Sequence, residues 1–238
     1  MQGSHQPLRV WFRAMWYATS QKQGVSALGL QRVLGLGSYR TAWTWLHKLR
    51  GAMLRAGRER LTGTVEVDDT YLGGPRPGAT GRGAAGKVLV VVAAAEKPEG
   101  IGRIRLRRVA DASAKSLTAA VEEMIEPGSL VGTDDWDGYV QVPRRGYVRE
   151  VIRHGAEVEE NLLPLANRVA SLSRRWLLGA HHGAVRVSHL DYYLDEFTFR
   201  LNGRTSRSRG KLLFRLVQQA AMVPPVNPYI LGYVERSA

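Results

Sequence analysis

The hydrophobic pattern of this chain changes its period near residue 62, and the change limits the folds that are open to it. Before that point, apolar residues recur every three or four positions, as in residues 8–15, which is the period of an amphipathic helix. After it, residues 63–72 alternate in polarity and residues 87–96 form a long apolar run rich in valine, both typical of strands. Residues 102–110 alternate basic and apolar side chains. The sequence therefore predicts helices first and three consecutive strands afterwards.

The rest of the chain mixes the two kinds of element. The predicted segments are a helix at 113–125, a short strand at 129–133, another strand near 147–152, and helices at 163–178, from Ser188, and up to about Met222. This order predicts an α/β fold in which helices flank a mixed sheet. We place a small all-α domain at residues 1–57 and a second domain at residues 58–238.

The charge of the chain indicates a polyanionic partner. Its 238 residues include 34 lysines and arginines and 21 acids, for a formal net charge of +13. This balance is most typical of nucleic-acid-binding proteins, although ribosomal and membrane-surface proteins share it. The sequence has no cysteine, which excludes disulfides and cysteine-bound metals. With no apolar run long enough to span a bilayer and no export signal, a cytoplasmic protein is the default expectation.

Two short predicted helices near the N-terminus are joined by the turn "GLGS", and the second opens at Ser38. Its outward side carries the basic and hydroxyl residues Arg40, Thr41, Thr44, His47 and Lys48. The pattern fits a helix-turn-helix and a plain helical bundle equally well, and the net charge favours DNA binding. Sequence recognition is then assigned to Arg40, Thr44 and Lys48. Nonspecific contacts to phosphates are assigned to the basic loop residues Arg204, Arg207, Arg209 and Lys211.

The first predicted strand carries three acids, which is unexpected in so basic a chain. Side chains alternate along a strand, so Glu66 and Asp68 share one face while Asp69 lies on the other. A second acidic cluster, which begins at Asp134, follows the predicted strand 129–133. A single acid is most often a solvated surface residue. Acids at the ends of two neighbouring strands, however, suit hard divalent cations, and paired cations suit phosphoryl transfer.

A third ligand is expected from the helix 163–178. Asn167 and Arg174 lie on one side of it, and an amide oxygen is a legitimate ligand for a hard metal. Arg174 is placed to hold a DNA phosphate, and Glu66 is a candidate accessory ligand because it shares the face of Asp68. Without the two acidic clusters, Asn167 and Arg174 would be interpreted as solvated surface residues.

Four blocks of sequence, in this order, resemble insertion-sequence transposases of the ISXO-like group. They are "VEVDDTYLGG", "GTDDWDGY", "LPLANRVASLSRRWLLGAHHGAV" and "LDEFTFRLNGR", and the resemblance covers about residues 7–220. The group consists of DDE-type enzymes with a ribonuclease-H-like fold. The resemblance implies Asp68 and Asp134 as catalytic acids, Asn167 in the third position, and Arg174 in place of a residue that is usually lysine.

The resemblance also implies cofactors and partners. Magnesium is expected, as two ions for which manganese can substitute. The expected reaction is hydrolytic nicking at the ends of the element, followed by strand transfer from the freed 3′-hydroxyl. Double-stranded DNA, as element ends and as target, is the expected partner, and the resemblance implies a nucleoid-associated protein of a prokaryote. A homo-oligomer is expected in the DNA complex, because two ends must be brought together, and no membrane partner is expected.

The sequence departs from that group at three points. Members often carry an N-terminal cysteine zinc ribbon, and this chain has no cysteine. Asp69 stands where the group tends to have glutamate, and Gly203 stands where a basic residue is common. These departures leave an inactive transposase remnant open as an alternative.

Other motifs and functions compete with this interpretation. Residues 81–87 have the glycine and lysine spacing of a phosphate-binding loop, but Val88 replaces its hydroxyl residue and a strand, not a helix, is predicted to follow. The pair "HH" at 181–182 has no further ligand at metal-binding spacing. A DNA-binding regulator and a nuclease that cuts without joining ends, such as a junction resolvase, remain alternatives to a transposase.

Overall fold

The computed structural model describes residues 6–54, 60–72, 87–153, 162–181 and 185–223. Its helices are α1 (Leu8–Ser20), α2 (Ala27–Leu34), α3 (Tyr39–Met53), α4 (Ala114–Met124), α5 (Pro164–His181), α6 (Leu190–Asn202) and α7 (Arg209–Met222). Its strands are β1 (Thr64–Leu72), β2 (Val88–Lys97), β3 (Gly100–Arg108), β4 (Leu130–Thr133) and β5 (Val148–Val151). None of the described helices has both the length and the apolar character needed to cross a bilayer.

The chain divides into two compact units. One comprises residues 1–58, 179–181 and 195–238, and the other comprises residues 59–178 and 182–194. The first unit therefore includes α7 and the part of α6 from Asp195 onward, which the sequence predicts in the second domain. Phe199 of α6 and Leu216 of α7 lie in one apolar core with Trp11 and Leu46 of the N-terminal helices, and this shared core is the reason for the difference.

The first unit contains the predicted helix pair. Ser26 caps α2 by accepting a hydrogen bond from the backbone N–H of Gly29 at 3.0 Å. Gly35, with φ of 64°, closes α2 in the left-handed conformation that glycine adopts without strain. Ser38 stands at the start of α3, as predicted, but its side chain makes no capping hydrogen bond.

The second unit is built on a five-stranded sheet with the order β3-β2-β1-β4-β5. The first three strands pair antiparallel, whereas β4 pairs parallel to β1 and β5 parallel to β4. This mixed sheet flanked by helices is the predicted architecture and is compatible with a ribonuclease-H-like fold. Val88 opens strand β2, not a helix, so the glycine-lysine motif before it lacks the helix of a phosphate-binding loop.

The two faces of the sheet have different partners within this unit. On one face, Val65 and Val67 of β1 pack with Leu117 and Val121 of α4 in a common core. On the other face, Glu66 of β1 contacts the backbone of α5. The alternation of β1 therefore places its acids Glu66 and Asp68 on the side of α5.

Candidate active site

Asp68 and Asp134 are brought together by the pairing of β1 with β4. These strands run parallel, and the last pair of their ladder sets Glu66 opposite Gly132. Continuing this pairing by two positions sets Asp134, the residue after β4, opposite Asp68. Residues opposite each other in adjacent strands lie on the same face, and neighbouring strands are about 4.8 Å apart. The two aspartates therefore come together on one face of the sheet, where β4 ends beside β1.

The surroundings of Asp68 resist its ionisation. Burial is the main cause that raises the pKa of this carboxyl to about 6, and the negative charges of Asp69 and Asp134 add to the rise. The backbone N–H of Asp69, which donates to Asp68 Oδ1 at 2.8 Å, and the charge of Arg174 act in the opposite direction. An anion held among other anions in a partly buried position is stabilised by a bound cation.

Arg149 of β5 fixes the turn that carries Asp134. Its guanidinium donates to Thr133 Oγ1 at 2.9 Å and to the carbonyl oxygens of Asp134 at 2.9 Å and Trp136 at 3.4 Å. The backbone N–H of Trp136 donates in turn to Asp134 Oδ1 at 3.3 Å. These contacts hold both the main chain and the carboxylate of Asp134 at the end of β4.

Glu66 holds the start of α5 and does so through backbone contacts. Its Oε2 accepts hydrogen bonds from the N–H groups of Leu165 at 2.7 Å and Ala166 at 2.9 Å. Burial raises the pKa of Glu66, and these two donors oppose that rise. The sequence had suggested Glu66 as an accessory metal ligand, whereas in the structure it serves as an acceptor for the helix terminus.

Arg174 connects the far part of α5 to the same strand. Its guanidinium donates to Thr70 Oγ1, and its charge acts on Asp68. Asn167 precedes Arg174 by seven residues, which is nearly two full turns, so the two side chains leave the helix on the same side. Asn167 is exposed in the first turn of α5. The charges of Asp134 and Arg174 thus both act on Asp68, and Asn167 leaves α5 on the same side as Arg174.

The predicted DNA-contacting residues belong to the other compact unit. Arg40 is exposed on α3, and Thr44 and Lys48 are half-buried on the same helix. The four residues assigned to a basic loop are all exposed, but only Arg204 and Arg207 lie between α6 and α7, whereas Arg209 and Lys211 lie in the first turn of α7. Two of the four also support the fold, because Arg204 donates to the carbonyl of Leu201 at 2.8 Å and Arg209 to that of Ser20 at 2.7 Å.

The side-chain oxygens around Asp68 are of the kind that bind a hard divalent cation. Asp68 and Asp134 supply two carboxylates, and Asn167 supplies an amide oxygen on the neighbouring helix, the ligand types that magnesium and manganese prefer. Within the described ranges, no three acidic or histidine side chains form a metal-binding cluster. A site built from these residues therefore needs an amide, water or substrate oxygen beside the two carboxylates.

The model of the ISXO2-like transposase domain family matches residues 60–202 of this chain. The chain belongs to this family. The matched region of the ISXO2-like transposase domain includes all five strands and the helices α4, α5 and α6. It therefore contains Asp68, Asp134, Asn167 and Arg174, and it leaves out α1–α3 and α7. No curated protein matched the chain.

The sequence indicated Glu66 as a candidate ligand for this transposase but did not predict its role at the start of α5, and Arg149 was missed altogether. The role of Glu66 does have a signal, because Leu163 offers no capping oxygen and the helix therefore needs an acceptor from elsewhere. Arg149 gave no such signal. It lies in the short strand β5, and its partners are backbone carbonyls that only the folded chain brings near.

Proposed function

We propose that this transposase binds the ends of an insertion sequence and catalyses magnesium-dependent DNA cleavage and strand transfer at a site formed by Asp68, Asp134 and Asn167. The observation that carries the proposal is the parallel pairing of β1 with β4, which brings Asp134 beside the partly buried Asp68. Burial, with the charges of Asp69 and Asp134, accordingly raises the pKa of Asp68 to about 6. A protein that only bound DNA would gain nothing from two mutually destabilising carboxylates. An enzyme that holds divalent cations needs them.

The residues divide the work of this site between them. Asp68 and Asp134 would hold two divalent cations, and Asn167 would complete the ligand set from α5. When bound, such cations lower the pKa of an attacking water or hydroxyl and stabilise the leaving 3′-oxygen. The positive charge of Arg174 acts on Asp68, and its guanidinium would orient a DNA phosphate beside the two aspartates.

Recognition of DNA is assigned to the first compact unit, where α2, the turn that includes Gly35, and α3 form a helix-turn-helix candidate. Arg40, Thr44 and Lys48 present donors along one side of α3 and would contact base edges in the major groove. The exposed basic loop around Arg207 would add nonspecific contacts to phosphates, whose strength falls as salt rises.

The test is a cleavage assay on DNA that carries the two ends of the element with their flanking sequence. The wild type, Asp68→Ala and Asp134→Ala are compared with magnesium, with manganese and with EDTA. Metal-dependent nicking and joined products are expected from the wild type, with loss of at least about 100-fold in either variant but retained DNA binding. Equal activity in all three proteins would overturn the mechanism. Cleavage without joined products would identify a nuclease, and DNA binding alone a regulator or an inactive remnant.

A further inference from the structure

The residue at the N-cap position of helix α5 offers no side-chain oxygen. Leu163 stands at its N-cap position and carries no oxygen, and Pro164 at the first helical position has no N–H to satisfy. The next two N–H groups, of Leu165 and Ala166, both donate to Glu66 Oε2. The N–H of Asn167 donates to the carbonyl of Leu163 at 2.9 Å.

The backbone N–H groups of the first turn of α5 are therefore all paired. Two of them donate to the side chain of a strand residue about a hundred positions earlier in the sequence. At most helix N-termini the acceptor is the side chain of the N-cap residue itself, so no distant segment has to be held against the helix. A carboxylate is also well placed there, because the helix dipole puts partial positive charge at the N-terminus. The contact thus fixes the start of α5 against β1.

We infer that Glu66 is a positioning residue that sets Asn167 and Arg174 against Asp68. The inference rests on the proposed function. Glu66 lies two residues before Asp68 on the same face of β1, and its second donor, Ala166, directly precedes Asn167. One carboxylate therefore connects the strand that carries the first aspartate to the helix that carries the amide.

The direction of α5 extends this control along the site. Leu165 and Ala166 lie beside Glu66, whereas Arg174 lies beside Thr70. The helical rise from Ala166 to Arg174 is about 12 Å, and the strand rise from Glu66 to Thr70 is about 13 Å. The helix therefore follows β1 in the same direction, with Glu66 as the fixed point at its beginning. Loss of that point would move Asn167 first.

The same geometry distinguishes a positioning role from a role as metal ligand. Glutamine in place of Glu66 still has a side-chain oxygen at the same distance from the backbone, and this oxygen can accept the two hydrogen bonds. It lacks the negative charge that Glu66 would supply as a metal ligand. Alanine removes both. Glu66→Gln is therefore expected to retain the function and Glu66→Ala to lose it, since removing such a supporting contact typically lowers metal affinity or activity by about 10- to 100-fold.

Two measurements test the inference on the full-length chain. In the first, manganese is added to protein labelled with ¹⁵N-asparagine, and paramagnetic broadening of the Asn167 side-chain amide is recorded. Broadening is expected in the wild type and in Glu66→Gln, and is expected to be lost or reduced about tenfold in Glu66→Ala. In the second, the rate of magnesium-dependent DNA cleavage is measured for the same proteins. Val169→Ala, which truncates a buried residue one turn further along α5 and removes neither hydrogen bond to Glu66, controls for a simple loss of stability.

The outcomes separate this inference from the proposed function. Broadening of Asn167 that depends on Glu66, in a wild type that does not cleave DNA, would support positioning and overturn the proposed activity. Unchanged broadening in Glu66→Ala, or no broadening in the wild type, would overturn the inference. A defect in Glu66→Gln equal to that in Glu66→Ala would also overturn it, and would identify Glu66 as a metal ligand. A comparable loss of activity in Val169→Ala would show that stability alone accounts for the effect.

Discussion

Asp134 lies where the β1–β4 ladder, extended by two positions, would set it opposite Asp68, although β4 itself ends one residue before Asp134, at Thr133. Beyond the ladder, the contacts from Arg149 hold the chain in place of strand pairing. Asp68 is therefore held within the regular backbone of β1, whereas Asp134 lies in the turn after β4, outside the regular strand geometry. It explains why the two carboxylates influence each other although they are 66 residues apart in sequence.

The coupling between the two aspartates predicts a change in titration. Because the charge of Asp134 raises the pKa of Asp68, Asp134→Asn should lower that pKa from its value of about 6 in the absence of divalent cations. The measurement is the pH dependence of the ¹³C carboxyl shift of Asp68 in EDTA. Asp135→Asn is the matched control, since Asp135 is exposed and paired with Arg153. An unchanged pKa in Asp134→Asn would contradict the juxtaposition of the two side chains.

Asp68 should also reduce the stability of the metal-free protein. Its folded-state pKa of about 6 lies above the ordinary value of 3.8, so the folded state binds the proton more tightly and is destabilised when Asp68 ionises. This cost reaches about 3 kcal/mol above pH 6, at 1.36 kcal/mol for each pKa unit. Asp68→Asn should therefore raise the free energy of unfolding by roughly 1–3 kcal/mol at pH 7.5.

The gain should shrink as the pH falls from 6 toward 4, where Asp68 becomes protonated in the wild type. Urea unfolding in EDTA at several pH values measures the difference. A variant that is less stable than the wild type at pH 7.5, or a difference that does not change with pH, would show that Asp68 is not destabilised by its surroundings.

The sheet and the pair of aspartates were predictable because each has a local signature. Each of these signatures occupies ten residues or fewer: the alternation in β1, the apolar run of β2, and the acids that follow β4. The order of elements then restricts how the strands can pair. Glu66 and Arg149 bond to backbone atoms of distant segments. The missing cap at Leu163 signals that α5 needs an acceptor but not which residue supplies it, and no local pattern indicates the partners of Arg149.

The grouping of the last helices was not predictable for a related reason. The apolar face of α7 has the same composition as any amphipathic helix, so the sequence does not say which core it joins. In the structure Leu216 is completely buried among the N-terminal helices. Arg200 of α6 points to the same packing, since it donates to the carbonyl of Ala18 at 2.6 Å. Helix α7, which follows the region matched by the family, therefore packs in the core of the first unit.

Arg149 should be required for the conformation of the Asp134 turn. Arg149→Ala removes the donors to two backbone carbonyls and to Thr133, so we expect a loss of about 1–3 kcal/mol in the free energy of unfolding. We also expect manganese affinity to fall by about tenfold, because the turn no longer presents its carboxylate rigidly. Calorimetric titration with manganese and urea unfolding provide the two readouts.

Arg153→Ala is the matched control for this change. Arg153 is also a basic residue next to the same turn, but its partner is the exposed carboxylate of Asp135, so its removal should alter stability by less than about 0.5 kcal/mol. If both variants lost the same metal affinity, general positive charge near the site would explain the effect, and the specific contacts of Arg149 would not.

The buried cluster of Arg50, Glu196 and Arg200 should be a main determinant of stability in the first unit. Glu196 accepts from Arg50 at 2.7 Å and from Arg200 at 2.8 Å, and the side chains of Glu196 and Arg50 are each 3% exposed. Burial alone would raise the pKa of Glu196, but the two arginines outweigh it and lower the pKa. Glu196→Gln leaves two guanidinium groups without a counter-charge, and should cost about 3–5 kcal/mol at pH 7.

The pH dependence of this loss has a definite sign. A lowered carboxyl pKa contributes stability above the ordinary value of 4.5, and that contribution disappears as the pH falls through the folded-state value below it. The difference between wild type and Glu196→Gln should therefore be largest near pH 7 and should shrink below pH 4.5. Asp135→Asn, which breaks an exposed ion pair, should cost less than about 1 kcal/mol under the same conditions. Equal losses in the two variants, measured by urea unfolding at pH 7, would mean that burial gives the Glu196 cluster no special weight.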